Sequence, residues 1–436
     1  MGDFSKNKIR KLGDRIRETF EDGTRVVSQE DLEMLQEYRL TFRDAIASVF
    51  DIVYKECQSI NKKSIVTYRI KRIESIIGKL KRMPNTELDR LIDIAGCRCI
   101  LSNNDQVYRL LNKLRNNPLL YIKKEIDYIK NPQKEGYRSI HLYAGLSENN
   151  GKLVEIQLRN QEQHNWATLV EISDFVFETK LKEYREPADL LEFHRLLSVF
   201  EQDLTPKEKK KIFDTIKKRN YINRINEVFV RNYIDVRKRW MQLQYYSKNS
   251  FYLIEAKRNE SPQIDSYNSF IAAEAAYFER FQQNSNSNIV LTNIPHATYE
   301  QISVAYSNYM LSTHSFSDDC LNRYQRQIKE TLEYKEYINY AKYYYQYCRI
   351  LVCSLNLLKE EINILNNNVT KENKHKIKVR EWEKDIIRKL ELLLNKRDTL
   401  FKIYKKTLNR NSFFYLYCSI ITRIINRKCF RRIKND

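Results

Sequence analysis

Between residues 83 and 96 the hydrophobic repeat changes from helical to alternating, and that switch restricts the chain to folds that mix helices with a sheet. Before it, Leu32, Leu35, Tyr38, Phe42, Ile46 and Phe50 recur at helical spacing, which predicts one long helix over 28–60. Ser28, followed by Asp31, supplies its N-cap. A second helix is predicted over about 70–83, ended by Pro84. After it, "GCRCIL" (96–101), "YRSIHLY" (137–143) and "LVEIQLRN" (153–160) alternate and read as strands. The run "SENNG" between the last two is a hairpin signal, and a helix follows over about 162–179. Residues 1–200 are therefore expected to form an α+β domain, a small mixed β-sheet flanked by helices.

The rest of the chain reads differently. The polar stretch "TPKEKKKIFDTIKKRN" (205–220) opens a new section. Strands "FYLIEA" (251–256) and "NIVLTNI" (288–294) flank a helix with Phe270, Ala273, Ala276 and Phe278, so 205–317 is expected to be a small α/β unit. From 318 to 436 the pattern is helical, with almost no Gly or Pro. The break "NNNVTKENKHK" (366–376) predicts two long antiparallel helices and a tail, with Trp382, Ile386, Leu390, Leu394 and Phe401 spaced to bury against a partner helix. This region is the place for self-association or a regulatory partner. The cluster "YAKYYYQY" (340–347) could stack on bases, but amphipathic tyrosines at this spacing more often pack helices.

Composition adds class-level limits. Lysine and arginine outnumber aspartate and glutamate by 77 to 56, a net charge of +21 that favours polyanions. AT-rich codon usage would give the same Lys, Asn, Ile and Tyr excess without selection for binding. Eight cysteines without a CxxC pair argue against zinc and read as reduced, buried thiols. The opening "MGDFSKNKIRK" has no apolar core of a signal peptide, so a cytoplasmic protein is expected. The run "FFYLYCSIITRII" (413–425) is too short to span a bilayer and reads as a buried helix. A membrane partner is not expected, although the basic residues after it keep a surface anchor open.

The strands carry more chemistry than a core needs. On 153–160, Val154, Ile156 and Leu158 point one way and Glu155, Gln157 and Arg159 the other. On 137–143, Arg138 faces one way and Ser139, His141 and Tyr143 the other. Asp93 stands just before the strand that holds Arg98. Alone, each pattern is a half-exposed sheet with polar residues facing water. Together, Asp93 and Glu155 could share a divalent metal, and hard oxygen ligands suit Mg²⁺ and phosphate substrates. Lys71, Ser75, Lys79 and Arg82 share one face of the second helix. A solvated basic face explains that too, but opposite a carboxylate pair it becomes a triphosphate cradle.

Four motifs in order, "RIKRIESIIGKLKR", "DIAGCR", "DYIKNPQKEGYRSIH" and "VEIQLRNQEQHNWA", resemble the synthetase domain of the RelA/SpoT family, the alarmone pyrophosphokinases, over about 28–180. The opening "SKNKIRKLGDRIRE" is similar to the stand-alone members, and the sequence has no His-Asp dipeptide, so the family's hydrolase half is not expected. The resemblance implies a nucleotidyltransferase-like synthetase fold and a reaction: the β,γ-pyrophosphate of ATP moves to a nucleotide 3′-hydroxyl and AMP leaves. It assigns Arg69 and Arg98 to the adenine, and Lys71, Ser75, Lys79 and Arg82 to the ATP phosphates. Glu155, Asp93 and His141 form the implied catalytic set, with Asp93 and Glu155 on Mg²⁺. Tyr137, Arg138, Ser139, Gln157, Arg159 and His164 are assigned to the acceptor. The ring of Tyr137, not its hydroxyl, is expected to make the contact, and Gly136 to bring the backbone close.

Three positions depart from the family pattern: Tyr68 replaces glycine, and Ile126 and Gln133 replace basic residues that would meet a guanine nucleotide's 5′-phosphates. The implied product is (p)ppGpp from GDP or GTP. The departures leave open the 3′ end of tRNA, which some stand-alone members modify as toxins or phage-defence effectors. A non-catalytic nucleotide-binding interaction protein is a third reading, and intact Asp93 and Glu155 argue against it.

Overall fold

The computed structural model describes the chain except residues 1–3, 22–25, 147–150, 180, 182–185, 244–248, 258–259, 284–287, 296, 311–314, 369–376, 408–411 and 431–436. By internal packing it divides into two units, Met1–Arg219 with Asp235–Thr313, and Asn220–Ile234 with His314–Asp436.

The first unit is α+β. Helices α1 (Lys6–Glu21), α2 (Gln29–Leu40) and α3 (Arg43–Ile60) lead into β1 (Ile65–Ile70), α4 (Ile73–Arg82), β2 (Ala95–Leu101), α5 (Asn104–Arg115), β3 (Tyr121–Asp127), β4 (Ile140–Gly145), β5 (Val154–Asn160) and α6 (Gln161–Phe177). Then come α7 (Ala188–Leu197), α8 (Pro206–Lys218), α9 (Tyr221–Leu243), β6 (Phe251–Ala256), β7 (Gln263–Tyr267), α10 (Phe270–Gln283), β8 (Asn288–Asn293), α11 (Tyr299–Ala305) and α12 (Ser307–Met310). Helix α9 contributes its first part to the second unit and its last part to this one.

One eight-stranded sheet runs in the order β3-β4-β5-β2-β1-β8-β6-β7. The β2–β5 pair is parallel and the other pairs are antiparallel. Its apolar face carries Cys97, Cys99, Leu142, Ile156 and Leu158, which share one core with Val49 and Val53 of α3 and Val107 and Leu111 of α5. Each such aliphatic side chain contributes about 1.5–3 kcal/mol by leaving water. That anchored face holds the other one, with its polar side chains, in register. Helix α6 starts abruptly behind β5 because Asn160 and Gln163 cap it reciprocally.

Several expectations are corrected. The helix predicted over 28–60 is two, broken at Thr41, whose hydroxyl bonds back to the Tyr38 carbonyl at 2.6 Å. The Ser28 cap is present, its hydroxyl accepting from the Asp31 amide at 3.1 Å. The second helix begins only at Ile73, because β1 occupies 65–70 before it. The strand expected over 137–143 is paired only from Ile140, and four residues of its hairpin lie outside the described ones. The strands at 251–256 and 288–293 do not make a separate α/β unit over 205–317: β8 sits beside β1, and Leu253, Phe270, Tyr277 and Leu291 join the first core. Tyr68 belongs to that core too, edge-on to Phe50 at 4.9 Å, which accounts for a large residue where the family has glycine.

The second unit is a long helical region: α13 (Phe316–Glu333), α14 (Tyr337–Asn368), α15 (Ile377–Thr407) and α16 (Phe413–Phe430). Among the described residues it holds four helices where a two-helix hairpin and a tail were expected. Most of the predicted break, 369–376, lies outside the described residues. The tyrosine cluster packs helices: Tyr340, Tyr343, Tyr344 and Tyr347 are buried, and the Tyr340 and Tyr344 hydroxyls bond Thr422 and Asn426 of α16. Trp382 and Ile386 are buried as expected, Leu390 is half-buried, and Leu393 takes the buried position expected for Leu394; the side chain of Phe401 is outside the description. Helix α16 is buried on one face only, with Phe413, Leu416, Ile420 and Ile424 exposed. Among the described residues no helix is long and apolar enough to cross a membrane. All eight cysteines are free and six are buried.

Candidate active site

Strand register assembles the polar face. One cross-strand row runs Thr67, Arg98, Gln157, His141; the next runs Arg69, Gly96, Glu155, Tyr143. Gly96 is the gap in the second row. A Cβ there would stand 3.3 Å from the Glu155 carbonyl oxygen, and its absence leaves room between Arg69 and Glu155. A cavity of about 250 Å³ opens at this point, lined by Thr67, Arg98 and Gln157 of the first row and Arg69, Gly96 and Glu155 of the second, together with Lys71, Asp93 and Tyr306.

Asp93 closes one end. Its Oδ2 accepts from Lys71 Nζ at 2.6 Å and Lys79 Nζ at 2.8 Å, while its Oδ1 is buried with no hydrogen-bond partner. Burial pushes the Asp93 carboxyl up, but Lys71 and Lys79 outweigh it and hold it below its ordinary value. Burial lowers Lys71, against the pull of Asp93. Two ammoniums sharing one carboxylate oxygen are chemically able to exchange that partner for a phosphate oxygen.

Glu155 heads a hydrogen-bonded chain. Its Oε1 accepts from Tyr143 Oη at 3.2 Å and lies 3.0 Å from His141 Nδ1; its Oε2 accepts from Gln157 Nε2 at 2.9 Å. His141 Nε2 is 2.7 Å from Tyr137 Oη, which also accepts from Arg159 Nη2 at 2.6 Å. Burial lowers His141, but the Glu155 and Tyr137 contacts raise it above its ordinary value. Burial raises Tyr137, but Arg159 and His141 bring its hydroxyl down to about 8. The Arg159 guanidinium also lies over the Tyr137 ring, 5.0 Å from its centre. A second cavity of about 350 Å³ runs past Arg69 and Arg98 to Tyr137, His141, Arg159, Trp166 and Gln133.

The two arginines that the resemblance assigns to adenine have partners in the structure. Arg69 Nη1 donates to Tyr309 Oη at 3.3 Å, and Arg98 Nη1 to the Ala305 carbonyl at 3.4 Å. His164 Nε2 meets the Val304 carbonyl at 2.8 Å. The segment 299–310, helices α11 and α12, thus lies over this end of the face. Burial, then Arg159 and Arg69, bring Arg98 down to about 10.

Of the residues assigned from sequence, the first cavity brings together Arg69, Lys71, Asp93, Arg98, Glu155 and Gln157. The second adds Tyr137, His141 and Arg159. Lys79 reaches the first through Asp93, and five are placed otherwise. Arg138 turns away, donating to the Ser198 carbonyl at 2.6 Å. Ser139 is buried and donates to the Leu158 carbonyl at 3.2 Å. Ser75 accepts from Arg72 Nε at 3.2 Å, Arg82 is exposed at the end of α4, and His164 is buried against α11. Gly136 has φ +96, and a Cβ there would strike Ser198 Oγ at 2.1 Å, so it serves the close approach of the loop to α7. Sequence reading missed Gly96 and Tyr306. Gly96 could have been found, as a glycine inside an alternating strand. Tyr306 lies outside the motifs and carried no local signal.

Residues 68–175 match the region found in RelA / SpoT proteins, and this part of the chain carries that region. The chain is 34% identical over 139 residues to the GTP pyrophosphokinase YwaC of Bacillus subtilis, covering 29% of this chain and 66% of that one. It is 32% identical over 111 residues to YjbM of the same organism (24% and 53%), and 29% identical over 137 residues to the GTP pyrophosphokinase of Escherichia coli (31% and 18%). The chain therefore spans less than two thirds of the length of each of these relatives. Among solved structures, it is similar to small alarmone synthetase 1 of Bacillus subtilis bound to its product pppGpp, with 19% identity, 43% of this chain, 98% of that one and a TM-score of 0.33. Small alarmone synthetase 2 of that organism gives 25%, 42%, 97% and 0.31.

Proposed function

We propose that the first unit is an ATP-dependent pyrophosphokinase. The observation that carries this reading is one cavity holding Arg69, Gly96 and Glu155 on a cross-strand row, with Lys71, Lys79 and Asp93 at its end. The acceptor 3′-oxygen forms a bond to the β-phosphorus of ATP, the α–β bridging bond breaks, and AMP leaves with the electron pair. Glu155 takes the acceptor proton, and His141 behind it holds the carboxylate in place. Lys71 and Lys79 hold the phosphates as charge redistributes. Mg²⁺ suits the unpartnered Asp93 Oδ1 and the nearby Glu155, both hard oxygen donors. Among the described residues no group of three His, Cys, Asp or Glu is arranged to hold a metal ion, so substrate oxygens and water would complete its shell. When bound, it supplies charge neutralisation on the phosphates.

Adenine binding between Arg69 and Arg98 competes with Tyr309 and the Ala305 carbonyl. We read the arrangement as a covered, slow state in which segment 299–310 must shift before ATP seats fully.

The acceptor we favour is GDP or GTP, giving (p)ppGpp, in line with relatives named GTP pyrophosphokinase. Such substrates fit a cytoplasmic protein. A second reading, the 3′ end of tRNA, is favoured by Gln133 lining the second cavity where a lysine would meet 5′-phosphates, and by the charge of +21. Incubation with γ-labelled ATP and, in parallel, GDP, GTP and deacylated tRNA tests both. The reading predicts label on one acceptor and one AMP per labelled product. Release of ADP and free phosphate, with no labelled acceptor, contradicts it.

A further inference from the structure

Behind the cavity, on helices outside the matched region, a buried polar network grips the turn from which the phosphate arm springs. Arg39 of α2 is fully buried, and its Nε donates to the Lys71 carbonyl at 2.9 Å. Its Nη1 bonds Gln36 and lies 3.5 Å from Glu274 of α10. Gln36 Nε2 donates to Glu274 at 2.9 Å. The Arg39 guanidinium also sits on the Tyr277 ring, 4.6 Å from its centre. The Tyr277 hydroxyl in turn accepts from the Ile73 amide at 3.2 Å.

These contacts fall on either side of Arg72, the N-cap of α4, which makes no side-chain cap bond to its helix. The Lys71 amide is already held by the Ile94 carbonyl at 2.7 Å, so with Arg39 on its carbonyl both backbone polar groups of Lys71 are restrained. The Ile73 amide is one of the first donors of α4, which has no partner within its own helix. Tyr277 supplies the partner from α10. Lys71 and the whole of α4, with Ser75 and Lys79, are therefore oriented from behind. A buried arginine, glutamate and glutamine together are costly to desolvate. A core would be filled more cheaply by apolar residues, so a role in geometry is the better account.

We propose that Arg39 and Tyr277 are positioning residues for the triphosphate arm, and that α10 is thereby part of the machinery that binds ATP. The proposal rests on the reading of the cavity as an ATP site. It does not require either residue to touch substrate.

The test uses the full chain with Arg39→Lys and Tyr277→Phe. The first keeps a cation for Glu274, and the second removes one hydroxyl and keeps the ring. Loss of the Arg39 restraint is expected to raise the KM for ATP about 10-fold, the scale of one charge-assisted hydrogen bond, and loss of the Tyr277 hydroxyl about 5-fold, the scale of a neutral one. The kcat, the acceptor KM and inhibition by adenosine, which lacks the phosphates, should stay near wild type. Hydrogen exchange at the Ile73 amide, read without substrate, should quicken in Tyr277→Phe. An ATP KM unchanged in both variants overturns the proposal, and so does an equal weakening of ATP and adenosine, which is general loosening. If wild-type protein transfers nothing from ATP, the ATP reading itself fails. Ile73 exchange then still reports separately whether Tyr277 anchors the turn.

Discussion

The hydroxyl of Tyr137 joins two groups that the strand pattern placed on one face but could not link. It sits between His141 Nε2 and Arg159 Nη2, so the hydroxyl as well as the ring is engaged on this face. Tyr137→Phe should leave both without their shared partner and raise the acceptor KM about 10-fold, at about 1.5 kcal/mol for a hydrogen bond to a charged group. The same variant should lower the pH at which His141 titrates, because Tyr137 helps hold its pKa up. The sign follows from linkage. A raised histidine pKa contributes stability that is full below its unfolded value of about 6.5 and lost as pH rises through the folded value. An NMR titration of the His141 ring in both proteins, beside acceptor kinetics, checks both outcomes. The placement of Glu155 and Gln157 on the cavity face was legible because alternation on β5 separates them from Val154, Ile156 and Leu158. The turning away of Arg138 was not, because its partner is a carbonyl 60 residues further on.

At the scale of elements, β1 shows why a site strand can escape notice. Its burial runs nearly continuous from Ile65 to Ile70, since helices cover one face and the site and α11 crowd the other. No clean alternation survives in "IVTYRI", and its end was absorbed into the helix that follows. Strands β2 and β5, with their polar residues half open, kept the period and were found. Arg138 also acts at this scale. It donates to the carbonyl of Ser198, the C-cap of α7, where orphan carbonyls and the negative end of the helix dipole favour a cation. Arg138→Met should therefore lower stability by about 1–3 kcal/mol, with acceptor KM near wild type. Denaturant melts and acceptor titrations on one preparation decide this. A rise in acceptor KM without loss of stability would return Arg138 to the acceptor site.

At the scale of the molecule, β6, β7, β8 and α10 belong to the same sheet and core as the region matched over 68–175. The composition of that segment hinted at α/β structure, but long-range pairing of β8 with β1 is not written in any local pattern. A chain cut near residue 205 should therefore aggregate, because Val66, Tyr68 and Ile70 would lose the neighbours that Leu253, Tyr277 and Leu291 provide. A soluble monomer by gel filtration would show that the first core closes without them. The central claim is transfer of pyrophosphate from ATP at Glu155, restrained by segment 299–310. It is tested most directly by AMP release coupled to acceptor labelling in wild type, Tyr309→Phe and the double variant Tyr309→Phe/Glu155→Gln. The Tyr309 hydroxyl bond to Arg69 is the restraint removed, worth about 2- to 10-fold if it behaves as one ordinary hydrogen bond. The account predicts slow transfer in wild type, faster transfer in Tyr309→Phe, and at least ~100-fold loss when Glu155 is changed. Transfer in the double variant at the rate of Tyr309→Phe would contradict it.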